Sequence, residues 1–383
     1  MTKVKKGNIL LVSNYSSDVG YAWWLMEHFW VLIARHFQKK GSKAFLAYPS
    51  ISEVPKAIRE SDIKTIQMTV PGTTPSERDQ LRRFVKENNI TAVYFTDRPW
   101  FSPTYAYLRF LGIETIIVHD HTPGDRPPVK GMKGFIKAIR HRLPMVNADK
   151  QFCVSELMRY RSITNGRIPA NKCLVVQNGI PPVEAPKRSR EEIRSDLKIG
   201  PETVLCITTG RAHPYKRFDF IINVAADIQA NHPNQDIIFL LAGDGPAIDE
   251  LKTQVQKLGL NEKVILAGFR PDARDLLAAA DIAMHAALGE GFSLSIVEYM
   301  SSGLPVLVPD IPSVKQAVDH QKNGMVYGKD DTEEAAQFIV KLARDTTFRE
   351  KLSECARTKA NTQYTLKACT GAFQKACETV FPM

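Results

Sequence analysis

Glu290 and Glu298 stand eight residues apart in the segment Gly289-Glu290-Gly291-Phe292-Ser293-Leu294-Ser295-Ile296-Val297-Glu298. Glycines on both sides of Glu290, followed by an apolar run, read as a loop feeding a helix that begins near Phe292. The amino end of such a helix offers unpaired N–H groups and a positive dipole, which suits a phosphate. Eight helical residues rise about 12 Å, comparable to the ribose, diphosphate and hexose of a nucleotide-sugar laid end to end. Carboxylates on either side of a phosphate site are placed to accept hydrogen bonds from hydroxyls of both sugars. The competing reading makes both of them solvated helix-surface acids, the common fate of glutamate.

A second segment, Thr208-Thr209-Gly210-Arg211-Ala212-His213-Pro214-Tyr215-Lys216, follows the first strand pattern of the chain's second half. Arg211 and Lys216 flank a proline-containing turn ahead of a helix. Two cations there can neutralise a diphosphate and stabilise it as a leaving group; a plain basic surface loop is the alternative. Gly243-Asp244-Gly245-Pro246 lacks the third glycine of a dinucleotide fingerprint and reads as a tight strand-to-helix turn.

Taken in order, these segments resemble the retaining glycosyltransferases of the GT-B fold, family 4 type (glycosyl transferases group 1). The shared pattern is a Gly-Arg turn with a Lys five residues on, Gly-Asp-Gly-Pro, a Gly-Phe loop, two glutamates eight apart, and Gly-x-Pro-Val. Here these are Arg211 and Lys216, Gly243–Pro246, Gly268-Phe269-Arg270, Glu290 and Glu298, and Gly303–Val306, between about 172 and 330. The resemblance implies that Arg211 and Lys216 hold the donor diphosphate and that Glu298 binds the ribose. It implies that Glu290 binds the transferred sugar with backbone groups of Gly291, Phe292, Ser293 and Leu294, and that Phe269 and Arg270 meet the nucleobase. It also implies a histidine facing the donor sugar just after the strand Glu114–Val118. His119 matches best and His121 is the rival, against the reading that both merely structure a loop. Many relatives carry paired glycines after the first strand; this chain has only Gly20 there, and the resemblance implies a contact of Gly20 with donor phosphate or with acceptor. The resemblance implies transfer without a metal or other cofactor, and no D-x-D motif or metal-ligand spacing is present.

Strand and helix patterns alternate almost throughout. Strands are expected at Asn8–Ser13, Lys43–Tyr48, Thr65–Val70, Thr91–Phe95, Glu114–Val118 and Lys150–Val154, then at Thr203–Thr209, Asp236–Ala242, Lys263–Ala267, Ile282–His285, Pro305–Val308 and Gly324–Tyr327. Runs such as Ile237-Ile238-Phe239-Leu240-Leu241 suit strands buried on both faces of a parallel sheet. Helical patterns fall between them, as at Tyr21–Phe37, Ser76–Asn88, Phe218–Ala230 and Ala247–Leu258. Alternation of this kind implies right-handed βαβ units. Asn178-Gly179-Ile180-Pro181-Pro182 and the charged run after Pro186 mark a linker. The expected architecture is α/β: two Rossmann-like doubly wound domains facing across a cleft, 1–178 for the acceptor and 179–365 for the donor. A last helix at about 366–383 packs back on the first domain.

The 383 residues are 44% apolar and 24% charged, which suits two globular cores and excludes a disordered or fibrous chain. The net charge of +10 comes from one region, because Arg126 to Arg190 holds 14 Lys/Arg against Asp149, Glu156 and Glu184. Within it, Lys130, Lys133, Lys137, Arg140 and Arg142 alternate with Met132, Phe135, Ile136, Ile139 and Leu143 at helical steps. Such a helix either lies on an anionic membrane or binds an acidic acceptor, or else packs its apolar stripe on its own domain. Nucleic acid is not expected as a partner, since no interleaved stacking aromatics appear. Six cysteines without a C-x-x-C pair read as reduced thiols of a cytoplasmic protein, peripheral on the plasma membrane's inner face if the basic helix docks there. Neither a signal peptide nor a membrane-spanning run is expected.

The sequence thus points to a metal-independent, retaining hexosyltransferase. It would use a nucleotide-sugar, a UDP-sugar by preference, and a glycan or lipid-linked acceptor of cell-envelope polysaccharide, lipopolysaccharide or glycolipid synthesis. The rivals are a nucleotide-sugar epimerase or phosphorylase of similar architecture, and a catalytically inactive basic protein that binds membrane or nucleic acid.

Overall fold

The computed structural model describes residues 7–18, 24–124 and 126–382. The chain divides into two compact units, Met1–Gln177 with Lys367–Met383, and Asn178–Leu366. Gly20 and the first residues of the expected Tyr21–Phe37 helix lie outside the described residues.

The first unit is a seven-stranded sheet of β1 (Asn8–Val12), β2 (Ala44–Tyr48), β3 (Lys64–Gln67), β4 (Ile90–Thr96), β5 (Thr115–Asp120), β6 (Lys150–Cys153) and β7 (Cys173–Val175). Their order is β3-β2-β1-β4-β5-β6-β7, with every pairing parallel. The reversal of direction at β1 is the doubly wound signature. Leu10, Leu11, Val93 and Ile117 are wholly buried because helices cover both faces. The helix Leu366–Val380 belongs here from Lys367 onward: Phe373 stacks on Phe29 with ring centres 4.7 Å apart, and His28 Nε2 lies 2.8 Å from Thr370 Oγ1.

The second unit holds β8 (Val204–Thr209), β9 (Ile237–Ala242), β10 (Val264–Gly268), β11 (Ile282–Met284), β12 (Val306–Pro309) and β13 (Gly324–Tyr327), ordered β10-β9-β8-β11-β12-β13 and all parallel. Phe220, Ile221, Phe239 and Met284 centre its core. Since the strands are parallel, the loops after β8, β9, β10 and β11 leave the same edge of the sheet, where ligands of such folds bind.

Strand ends shift in several places, β3 stopping at Gln67 rather than Val70, and two differences bear on the site. β5 runs two residues past Val118, because β6 is there to pair: His119 lies opposite Phe152 and Asp120 opposite Cys153. β7, three residues long, joins the first sheet beside β6. All six cysteines are free thiols, five of them buried and Cys355 exposed. Among the described residues no helix is long and apolar enough to cross a membrane.

Candidate active site

In the second unit, the turn after β8 carries Arg211 and a short 3-10 helix, Pro214–Lys216. The Gly-Asp-Gly-Pro turn after β9 lies against it: Gly210 N donates to Ala242 O at 3.0 Å, Ala212 N to Asp244 O at 2.9 Å, and Ala247 N to Ala212 O at 3.0 Å. Gly243 can only be glycine here, since a Cβ on it would stand 1.6 Å from the Gly210 carbonyl oxygen. Arg217, just past Lys216, has a φ of 58°, a left-handed conformation that costs a non-glycine residue of order 1 kcal/mol. Arg217 is held by Asp330 at 2.9 Å and Asp219 at 3.6 Å. That bend separates the 3-10 helix from the helix Phe218–Asn231 and turns Lys216 toward the neighbouring loop.

The neighbouring loop follows β11 and brings Glu290. Lys216 Nζ lies 2.6 Å from Glu290 Oε1, and His285 Nε2 lies 3.0 Å from the same oxygen. Leu288 N donates to Tyr215 O at 2.9 Å and joins the loops through backbone as well. Burial pushes the Glu290 carboxyl up, but the His285 hydrogen bond and the Lys216 charge outweigh it and hold the pKa down at about 2. Burial likewise works against the Lys216 ammonium, and Glu290 outweighs it, leaving Lys216 above its usual value. Burial lowers His285 below the usual histidine value.

The helix after this loop is Leu294–Ser301, two residues later than the expected start. Ser293 caps it, accepting from Ile296 N, and no acid occupies its first turn, so its positive end is uncompensated. Gln316 holds the loop by donating to Gly291 O at 2.8 Å, and Gly291, Phe292 and Ser293 are buried. Glu298 lies on this helix, and burial pushes its carboxyl up to about 7 against a weaker pull from Arg274. The next residue, Tyr299, pins the helix to the end of β8, with its hydroxyl accepting from Thr209 N at 2.7 Å.

The structure therefore joins Lys216 and Glu290 directly. Arg211 is exposed on the same turn as Lys216. Phe269, at the carboxyl end of β10, is 67% exposed, and Arg270 is clamped by Asp272 through contacts of 2.7 and 2.5 Å. Sequence reading missed His285 and Tyr299 as supports. A polar residue ending the buried Ile282–His285 run was the available signal for the first.

In the first unit, the strand extension sets where the two histidines stand. Inside β5, His119 points into the core and has no accessible surface. Its Nδ1 lies 2.5 Å from the Tyr94 hydroxyl, its ring packs 4.8 Å from that of Phe29, and its Nε2 has no hydrogen-bond partner. Burial, then His121, holds His119 well below the usual histidine pKa. His121, just past the strand, is partly buried, and both of its ring nitrogens are also shut away from solvent. His121 Nδ1 is 3.3 Å from Asp97 Oδ1, and its backbone N donates to that oxygen at 2.6 Å. Burial pushes Asp97 up, but His121 and Arg126 pull harder and leave it below its usual value.

The basic helix spans Gly131–Arg140, and only Gly134 of it is buried. Met132 (72% exposed), Phe135 (63%) and Ile136 (56%) face solvent, so the apolar stripe is not packed on its own domain. The five cations divide. Lys130 and Lys133 are on the surface, and Arg142 is exposed while donating to Ala138 O. Lys137 turns in to donate to Asn165 O at 2.8 Å, and Arg140 lies over the Phe101 ring at 4.5 Å.

Two family models tile most of the chain: "Glycosyltransferase Family 4" over residues 26–184 and "Glycosyl transferases group 1" over residues 189–359. A curated relative, the UDP-Gal:alpha-D-GlcNAc-diphosphoundecaprenol alpha-1,3-galactosyltransferase of Escherichia coli, is 25% identical over 218 residues, 56% of this chain and 54% of that protein. The match thus spans about half the length of that relative. The crystal structure of a glycosyltransferase from Rickettsia africae ESF-5 superposes with a TM-score of 0.76 at 16% identity, covering 99% of this chain and 100% of that one. Anabaena Alr3699/HepE in complex with UDP and glucose gives 0.73 at 19% identity, covering 98% and 100%.

Proposed function

Because the chain belongs to the family 4 glycosyltransferases (glycosyl transferases group 1), we propose that it is a retaining hexosyltransferase. It takes a nucleotide-sugar, by preference a UDP-sugar, and glycosylates a hydroxyl of a glycan or lipid-linked acceptor in cell-envelope polysaccharide, lipopolysaccharide or glycolipid synthesis. The observation that carries this reading is the Lys216–Glu290–His285 cluster beside exposed Arg211, at the carboxyl edge of the second unit's sheet. The UDP named with the Anabaena structure and the UDP-galactose named for the E. coli relative support the choice of base.

In this reading Arg211, Lys216 and the amino end of helix Leu294–Ser301 carry the donor diphosphate and stabilise the charge that grows on it as it leaves. Glu290 accepts from hydroxyls of the transferred sugar while keeping Lys216 charged. Glu298 accepts from the ribose hydroxyls, and Phe269 with Arg270 borders the base. The C1–O bond to the diphosphate breaks as the C1–O bond to the acceptor forms on the same face, and the acceptor proton passes to a donor phosphate oxygen. Fixed positive charge and positioning supply the rate. The proposed transfer takes no metal, and full turnover in excess EDTA is the corresponding expectation. The first unit receives the acceptor, and the outward apolar and basic faces of helix Gly131–Arg140 hold the enzyme to an anionic membrane from the cytoplasmic side.

The deciding experiment is a donor panel read by thermal shift and turnover. The true donor at a hundredfold its Kd stabilises the fold by about 2.7 kcal/mol, and NMR of the product shows the donor's anomeric configuration retained. Lys216→Ala and Glu298→Ala abolish transfer, the first also losing stability because Glu290 is left buried without its cation; unchanged turnover in both removes the assignment.

A further inference from the structure

A cavity of about 190 Å³ lies wholly within the first unit, beneath the basic helix. Five cations line it, Arg98, Arg126, Lys137, Arg140 and Arg161, with Asp120 as the one carboxylate in the wall. Asp120 is engaged by Arg161 at 3.5 Å, Gln151 at 3.2 Å and Arg126 at 3.8 Å. The other three cations meet no acid within 4 Å among the described residues. Arg98 donates to Val70 O at 3.0 Å and its Nε is buried without a partner; Lys137 has the Asn165 carbonyl; Arg140 has the face of Phe101. His141, also in the wall, adds no charge at neutral pH, since burial pushes it down to about 4.

Like charges gathered around one half-enclosed space repel one another unless an anion joins them. Lys137 records this strain: burial first, then Arg126, Arg140 and Arg167, push its pKa below the usual lysine value. Arginine forks match phosphate oxygens two at a time, which a carbonyl partner does not use up. Lys137 and Arg140 also belong to the helix whose outer side bears Met132, Phe135 and Ile136. A ligand with a phosphate head and an apolar tail thus finds both of its halves on one element.

We propose that this cavity binds the phosphate or diphosphate group of a phosphorylated acceptor, with Arg98, Lys137 and Arg140 supplying the uncompensated charge. The word acceptor rests on the transferase reading; the anion site itself does not. Two sources share the chemistry, a lipid-borne diphosphate and a soluble sugar phosphate.

The test titrates inorganic pyrophosphate into the full chain by calorimetry at 150 mM salt, with UDP already saturating so that the donor loop is occupied. The variants are Arg126→Ala with Arg140→Ala, both exposed at the rim, and Arg82→Ala, an exposed cation of the helix Pro75–Glu87, as control. Saturable binding weakened at least tenfold by the rim pair and untouched by the control is expected. An absence of saturable binding, or the same Kd in the rim pair, overturns the proposal. Geranyl diphosphate binding tighter than pyrophosphate, with the gain lost in Phe135→Ser, assigns the lipid source; galactose 1-phosphate binding tighter assigns the soluble one. UDP failing to bind sinks the donor reading alone, because pyrophosphate sensitivity to Arg126 and Arg140 is judged separately.

Discussion

Replacing Glu298 with glutamine is expected to make the ligand-free protein more stable and worse at its task. The carboxyl titrates at about 7 in the folded chain against 4.5 ordinarily, with burial as the first cause. The folded state therefore binds the proton more tightly than the unfolded one, and stability falls as pH rises between those values. At roughly 1.4 kcal/mol per pKa step the full cost above pH 7 is about 3 kcal/mol, and residual solvent contact trims this toward 1–3 kcal/mol. Glutamine has the same shape and no charge, so the cost disappears. For a unit the size of Asn178–Leu366, that gain is a rise in Tm of roughly 3–10 °C. It is full at pH 8, shrinks below pH 7 and is absent below pH 4.5. Thermal unfolding of wild type and E298Q without ligand, from pH 4.5 to 8.5, measures it. In the same variant UDP affinity drops at least tenfold, because ribose hydroxyls lose a charged acceptor. A variant less stable than wild type at pH 8, or a difference of one size at all pH values, refutes the reasoning.

Three further outcomes are expected. Arg211→Ala changes stability by less than about 0.5 kcal/mol, as for a surface residue, while donor Kd rises ten- to a hundredfold through loss of about 1.5–3 kcal/mol of charge-assisted bonding; calorimetry with the UDP-sugar and a melting curve separate the two. Glu290→Gln leaves Lys216 buried beside a neutral partner and destabilises by up to about 3–5 kcal/mol, a loss that urea unfolding detects at pH 7 and that a Lys216→Met, Glu290→Gln double variant partly recovers. Phe135→Ser with Ile136→Asp removes apolar groups that would each contribute about 1.5–3 kcal/mol if fully inserted; vesicle sedimentation with anionic lipid should show partitioning down at least tenfold while Tm stays within a degree or two.

What was legible in the sequence followed from how many residues share a signal. The run Ile237–Ala242 is apolar at every position, so both its strand state and its double burial were readable. The end of β5 was not, because histidine and aspartate are poor strand formers and only the neighbouring Phe152 and Cys153 hold them in register. The fate of His119 turned on those two residues. β7 is three residues long and exists because β6 lies beside it. The amphipathic period at Lys130–Leu143 was plain, but a period gives a stripe and not its direction, and the structure turned the stripe outward. Glu290 and Lys216 were both legible as site residues. Their direct bond was not, since it spans 74 positions and needs the bend at Arg217.

The close seating of Gly243 under Gly210 gives the cationic turn a floor made of main chain alone. Main chain has no rotamer to change and no proton to lose, so the floor itself contains no pH-sensitive group. A methyl group added at 243 would act as a shim. Meeting main chain at 1.6 Å, it would force the turn off its seat and pull at the Lys216–Glu290 contact, with every charge of the cluster still present.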